Sequence, residues 1–147
     1  RIPPPLVALL CGVAMWGVAR VMPVHTLGLP LSYTAVVVFV LLGVFFCAAG
    51  VVSFRLAKTT VNPLKPELAS ALVTSGIYRV TRNPMYLGFA LLLCAWAGFL
   101  GSVWAAALIV LYVLFIQRFQ IRPEERALQG IFGDSFTHYK QGVRAWL

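Results

Sequence analysis

The chain has 147 residues, a length suited to one domain; 61% are hydrophobic and 11% charged, where a soluble domain carries about 25% charged residues. With a mean hydropathy of +0.88, too little polar surface remains to cover a water-soluble globule, and that class is excluded. The net charge of +8 is gathered on no single helix or repeat, so it points to loops facing anionic lipid rather than to a nucleic-acid interface.

Three apolar blocks follow in chain order. Pro3-Pro4-Pro5 suits a helix start and leads into the first, Leu6 to Met22. That block could pass for a signal peptide, but no small-residue cleavage site follows it, and Pro23 and Pro30 do. The second block runs from Leu31 to Phe54, opened by Pro30 and closed by Arg55. The third, Met85 to Ile116, contains no charge. As one helix it would reach about 48 Å, against a hydrocarbon core of about 30 Å. Gly98, Gly101 and Ser102 near its middle permit a reversal, so the block is predicted as a helical hairpin in preference to one long tilted helix. The expected fold is an all-α membrane protein in a single domain, 1–147. It has about four transmembrane helices (6–22, 31–54, 85–99 and 102–117), a loop 55–84 and an amphipathic C-terminal segment within a tail 118–147.

Four spans place that loop and that tail on the side of the N-terminus. This side then holds Arg1, Arg55, Lys58, Lys65, Arg79, Arg82, Arg118, Arg122, Arg126, Lys140 and Arg144, and the other side only Arg20. Basic residues mark the cytoplasmic side, so both termini are expected there. The cysteines, Cys11, Cys47 and Cys94, lie in apolar runs without ligand spacing, and His25 and His138 are far apart. They read as small buried hydrophobes and isolated imidazoles, and no metal is expected.

Two polar segments share the expected cytoplasmic face. In the first, Thr74 to Gly88, Pro84 disfavours a helical Asn83 and then fits the first turn of the following helix, so that Tyr78 to Asn83 would be the loop that feeds it. The segment reads either as a shaped loop or as an ordinary interfacial anchor. In the second, Arg122-Pro123-Glu124-Glu125 looks like a helix start whose acids complement the dipole. At about 100° per residue, however, Ala127, Leu128, Ile131 and Phe132 form one apolar stripe, with Glu124 in its middle, Glu125 on its edge and Arg126 pointing away. A carboxylate on a buried face is unfavourable unless paired or liganded, and these two positions hold half of the chain's four acidic residues. A functional role for at least one of them competes with the simple capping role. Tyr139, Lys140, Arg144 and Trp146 then suit a membrane interface.

These segments resemble a known family, the integral membrane methyltransferases that include isoprenylcysteine carboxyl methyltransferase and the phospholipid N-methyltransferases. The residues that carry the likeness are Gly76-Ile77-Tyr78, Arg82-Asn83-Pro84-Met85-Tyr86-Leu87-Gly88, Glu124-Glu125-Arg126-Ala127-Leu128, and Phe132-Gly133-Asp134-Ser135-Phe136-Thr137-His138-Tyr139. They cover about the last half of the chain. The chain departs from the family pattern in Asn83 for the commoner His, Phe136 for Tyr, and Val143-Arg144-Ala145 where Val-Pro-Arg is usual. Its short form is similar to prokaryotic members.

The resemblance implies an S-adenosylmethionine site at the cytoplasmic face, roofed by the C-terminal segment. Tyr78, Arg82, Asn83, Pro84, Tyr86, Gly88, Glu124, Glu125 and Tyr139 would form it. Carboxylates can accept the ribose hydroxyls or hold the cationic cofactor, and aromatic rings can face adenine or sulfonium. The acceptor would be lipophilic and enter from the bilayer. Arginines suit a carboxylate, which favours O-methylation of a lipid-linked carboxylate, with Arg118, Arg122 or Arg144 orienting it and Glu124 beside the chemistry. The alternatives are N-methylation of a phospholipid-type amine, an NADPH-dependent reductase of the sterol-reductase kind, and a non-enzymatic membrane scaffold.

Overall fold

The computed structural model describes residues 2–21, 29–56 and 72–147, the backbone alone for 29–32. Arg1, Met22, Pro23, His25, Lys58 and Lys65, and half of the expected loop 55–84 (residues 57–71), lie outside the described residues. The described residues form six α-helices: α1 (Pro4–Val21), α2 (Leu29–Leu56), α3 (Pro84–Leu100), α4 (Val103–Ile116), α5 (Arg122–Phe132) and α6 (Asp134–Gly142). A 3-10 turn, Gly76–Arg79, precedes α3, and a π turn, Gln117–Ile121, joins α4 to α5. Among the described residues there is no strand. The protein is an all-α membrane protein.

Among the described residues, three helices are long and apolar enough to cross a bilayer: Pro4–Val21, Tyr33–Leu56 and the continuous Val103–Phe132. The shorter α3 has 17 residues, or about 26 Å of helix against a hydrocarbon core near 30 Å. The expected hairpin is present. Gly101 ends α3 in the left-handed conformation (φ 67°), its N–H donating to the Ala97 carbonyl. Ser102 then caps α4, its hydroxyl accepting from the Ala105 N–H at 3.1 Å.

The α2–α3 contact depends on missing side chains. A Cβ on Gly43 would lie 2.9 Å from the Gly88 carbonyl oxygen, and one on Gly88 would lie 2.7 Å from the Gly43 oxygen. Both obstacles are backbone, so only glycine permits this approach. On the other side of α3, α1 and α4 close the core around Met15, Leu93, Tyr112, Ile116 and Ile121. Two polar tips inside it find backbone partners: Trp96 Nε1 donates to the Gly12 carbonyl (2.9 Å) and the Tyr112 hydroxyl to the Tyr86 carbonyl (3.2 Å). Most large side chains on the remaining face of α2, among them Val37, Leu41, Val44 and Phe45, are exposed, as lipid-facing residues are.

Two local readings change. Arg122-Pro123 resembled a helix start, yet α4 runs into α5 without a break. The Arg122 N–H reaches back to the Gln117 carbonyl, a π-type bond one residue longer than the α type. Proline clashes with the carbonyl four residues before it, and a widened turn just ahead of Pro123 lets the helix continue. The same turn buries Gln120 and Ile121, and Gln120 Nε2 donates to the Ile2 carbonyl at 2.7 Å. The predicted apolar stripe of α5 is also only partly covered: Ala127, Leu128 and Phe132 are half-buried and Ile131 is 44% exposed. Helix α5 lies on the surface and not in the core.

Candidate active site

The residues before α3 are shaped by glycine, proline and a buried hydroxyl. Gly76 has φ +61°, a conformation that favours glycine, and a Cβ there would meet Ser53 Oγ at 2.6 Å, so that hydroxyl would have to turn away. The 3-10 turn that follows buries Tyr78, whose ring stands edge-on to Phe54 with centroids 5.2 Å apart. Thr81 is fully buried. Asn83 (φ −136°, ψ 64°) is outside the helical region, and Pro84 opens α3.

The C-terminal tail is fastened onto this segment. The Arg82 N–H donates to the Arg144 carbonyl at 2.9 Å. Ala145 offers its carbonyl to both the Thr81 hydroxyl (3.1 Å) and Asn83 Nδ2 (2.9 Å). The Asn83 N–H in turn donates to Thr81 Oγ1 at 3.2 Å. Trp146 Nε1 donates to Gln117 Oε1 at 3.1 Å, anchoring the last residues on the π turn. Helix α6 adds a further tie: the Tyr139 hydroxyl donates to the Tyr78 carbonyl at 2.7 Å.

Helix α5 lies beside the same segment and brings its two carboxylates to it. The Tyr86 hydroxyl donates to Glu124 Oε1. Arg82 Nη1 lies 3.1 Å from Glu125 Oε1, with both side chains mostly buried (12% and 15% exposed), and Lys140 Nζ lies 3.6 Å from Glu125 Oε2. The first contact is close enough for an ion pair but not aligned as a hydrogen bond. Arg82 Nε and Nη1 and Glu125 Oε1 are buried with no hydrogen-bond partner. Buried polar groups are normally satisfied, so this pair retains donors and an acceptor for something else. Burial pushes the Tyr78 phenol well above its ordinary range, reinforced by Tyr139 and Glu124. Burial also raises Tyr139, against the opposing pull of Arg82, with Glu125 adding to the rise.

Of the residues singled out by sequence, Tyr78, Arg82, Asn83, Pro84, Tyr86, Glu124, Glu125 and Tyr139 come together here. The backbone of Arg144 joins them, while its side chain is exposed. Gly88 stands apart, against Gly43 and Cys47 of α2, and Arg118 lies in an adjoining cleft with Arg122 and Arg126, which Glu125 also lines. Sequence reasoning missed Thr81, Gln117 and the anchoring role of Trp146. The available signals were a small hydroxyl between two arginines and a tryptophan in the last two residues, and neither names its partner.

A family model described as phospholipid methyltransferase matches residues 31–135. A Haemophilus influenzae protein described as uncharacterized is 44% identical over 63 residues, which is 43% of this chain and 100% of that one. A protein-S-isoprenylcysteine O-methyltransferase of Schizosaccharomyces pombe is 31% identical over 112 residues, 75% of this chain; the chain spans about half the length of that relative, 47%. No solved structure matches. The matched region takes in the Arg82–Gly88 and Glu124–Leu128 segments whose side chains meet in the structure, and the chain belongs to the phospholipid methyltransferase family.

Proposed function

We propose that this protein transfers a methyl group from S-adenosylmethionine to a hydrophobic acceptor resident in the membrane, at a cytoplasmic site formed by the 76–86 segment, α5, α6 and the tail. The observation that carries this reading is the pairing of Glu124 with Tyr86 and of Glu125 with Arg82, with buried hydrogen-bonding capacity left over on Arg82 and Glu125. Two carboxylates among three tyrosines fit a cationic cofactor with a ribose diol and an adenine ring.

Bound there, S-adenosylmethionine supplies an electrophilic methyl group on a sulfonium. Glu125 would hold cofactor hydroxyl or amino groups through Oε1, which accepts no hydrogen bond, with the Arg82 ion pair fixing the carboxylate in place. Glu124, held by the Tyr86 hydroxyl, would contribute negative charge. Tyr78, Tyr86 and Tyr139 would supply ring surface, and Asn83 and Pro84 the backbone shape. The tail roofs the site and limits water.

For the acceptor we favour a lipid-linked carboxylate, as in an isoprenylcysteine. A carboxylate is already a nucleophile and would need no base to accept a methyl group as its ester. An ammonium would first have to lose a proton to a base. Arg144, brought to Arg82 by the tail, and Arg118 are the arginines proposed to orient that carboxylate. The Schizosaccharomyces pombe relative supports this choice by its name. The family model's description supports the second reading, a phospholipid amine.

The test is calorimetric titration of the detergent-purified protein with S-adenosylmethionine and separately with NADPH, followed by labelled methyl transfer to a farnesylated cysteine carboxylate or to phosphatidylethanolamine. Saturable binding of the adenosyl cofactor alone, lost in Glu124→Gln/Glu125→Gln without loss of fold, is the expected result. Binding of NADPH alone, or retention of binding by the double variant, overturns the reading.

A further inference from the structure

A second polar cleft, of about 400 Å³, is lined by Arg118, Arg122, Glu125, Arg126, Gln129 and Lys140. Its cations form a pattern. Arg118, Arg122 and Arg126 are spaced by four along one continuous helix, and so share a face. The π turn at 117–121 is wider than an α turn, which brings Arg118 and Arg122 closer to line, and Lys140 joins them from α6. The only carboxylate in the lining is Glu125, and it already faces Arg82 and Lys140. Arg118, Arg122 and Arg126 form no ion pair among the described residues, and all three are exposed. Like charges gathered this way repel, and an anion in the cleft relieves that repulsion. Guanidinium forks match phosphate oxygens in pairs.

The position selects the source of the phosphate. Arg118 is the first charge after the apolar α4, so it stands where hydrocarbon gives way to headgroups. Beside it Phe115 and Phe119 pack with centroids 4.8 Å apart, and Phe119 is 54% exposed, an aromatic at interfacial depth. A soluble anion gains nothing from such a flank, whereas a lipid puts its acyl chains there. We propose that this cleft, which borders the adenosyl site at Glu125, seats the phosphate of an anionic phospholipid of the surrounding bilayer on Arg122 and Arg126, the two arginines that the proposed methyl transfer does not use.

The test is native mass spectrometry of the full chain in neutral detergent, titrated with phosphatidylglycerol or with phosphatidylcholine of the same acyl chains. Inorganic phosphate serves as competitor. Phosphatidylglycerol should be retained selectively. Arg122→Gln/Arg126→Gln should weaken it roughly 30-fold, the effect of removing two interfacial charges, at unchanged melting temperature. Arg122→Lys/Arg126→Lys should lose less, since charge is kept and only the fork is lost. Equal retention of both lipids, or a double Gln variant that binds phosphatidylglycerol as before, overturns the site. Displacement by inorganic phosphate at concentrations equal to the lipid's overturns the assignment to a lipid.

Discussion

The hydroxyl of Tyr139 lies 2.7 Å from the carbonyl oxygen of Tyr78 and donates to it across 61 residues of sequence. One bond thus ties α6 to the turn that precedes α3. Tyr139→Phe keeps the ring and removes the donor, leaving a partly buried carbonyl unsatisfied. A loss of about 1–2 kcal/mol is expected, read as a lower melting temperature in detergent. If the site is assembled by this tie, the affinity for S-adenosylmethionine falls with it. An unchanged melt would show that the carbonyl finds another donor.

The same two phenols set a pH dependence. Both are raised in the folded protein, first by burial. A group whose folded pKa lies above its unfolded value of about 10 contributes stability that is fully present below pH 10. Above that, the unfolded chain sheds the proton and the folded one does not, so stability is lost as pH rises. Melting temperature should be insensitive to these tyrosines between pH 7 and about 9.5 and should fall above about 10. The fall should be shallower in Tyr139→Phe.

Arg82 and Glu125 are each mostly buried and face one another at 3.1 Å. Removing either leaves a charge without its nearest partner, so Arg82→Gln and Glu125→Gln should each destabilise by about 2 kcal/mol. The double variant should lose less than the sum of the singles. Chemical denaturation of the four proteins measures the coupling, and strict additivity would show that the pair does not interact.

Gly88 tests helix packing apart from chemistry. Gly88→Ala drives a Cβ to 2.7 Å from the Gly43 carbonyl oxygen, and backbone cannot step aside. Overpacking of this kind is expected to lower stability by about 2–3 kcal/mol. Gly17→Ala in α1, where nothing lies within 4 Å, should be neutral or slightly stabilising. A thermal melt of both variants separates the two sites.

Thr81 holds the tail through Ala145 and also accepts from the Asn83 N–H. Thr81→Val retains the shape and removes both bonds, at about 1–3 kcal/mol. The tail should loosen first. Arg144 is an exposed residue in it, so limited trypsin digestion should cleave after Arg144 several-fold faster than in the unaltered protein. An unchanged rate would mean that Asn83 Nδ2 and Trp146 suffice to hold the segment.

The apolar blocks, the hairpin at Gly101–Ser102 and the two motif segments are legible in the chain because hydropathy, turn chemistry and spacing are local properties. Each is decided within a few residues, and the family likeness rests on the same short stretches. The pairing of Glu125 with Arg82, the choice of Ala145 as the carbonyl that Thr81 and Asn83 share, and the facing of Gly88 toward α2 are not local. They join positions far apart in sequence, and nothing in either partner's own neighbourhood names the other. Pro123 shows the difference most directly. By local rules it opens a helix, yet in the folded chain it continues one, because the π turn ahead of it buries Ile121 in the core and lets Gln120 reach the Ile2 carbonyl. The tertiary contacts, and not the proline's own preference, decide where that helix begins.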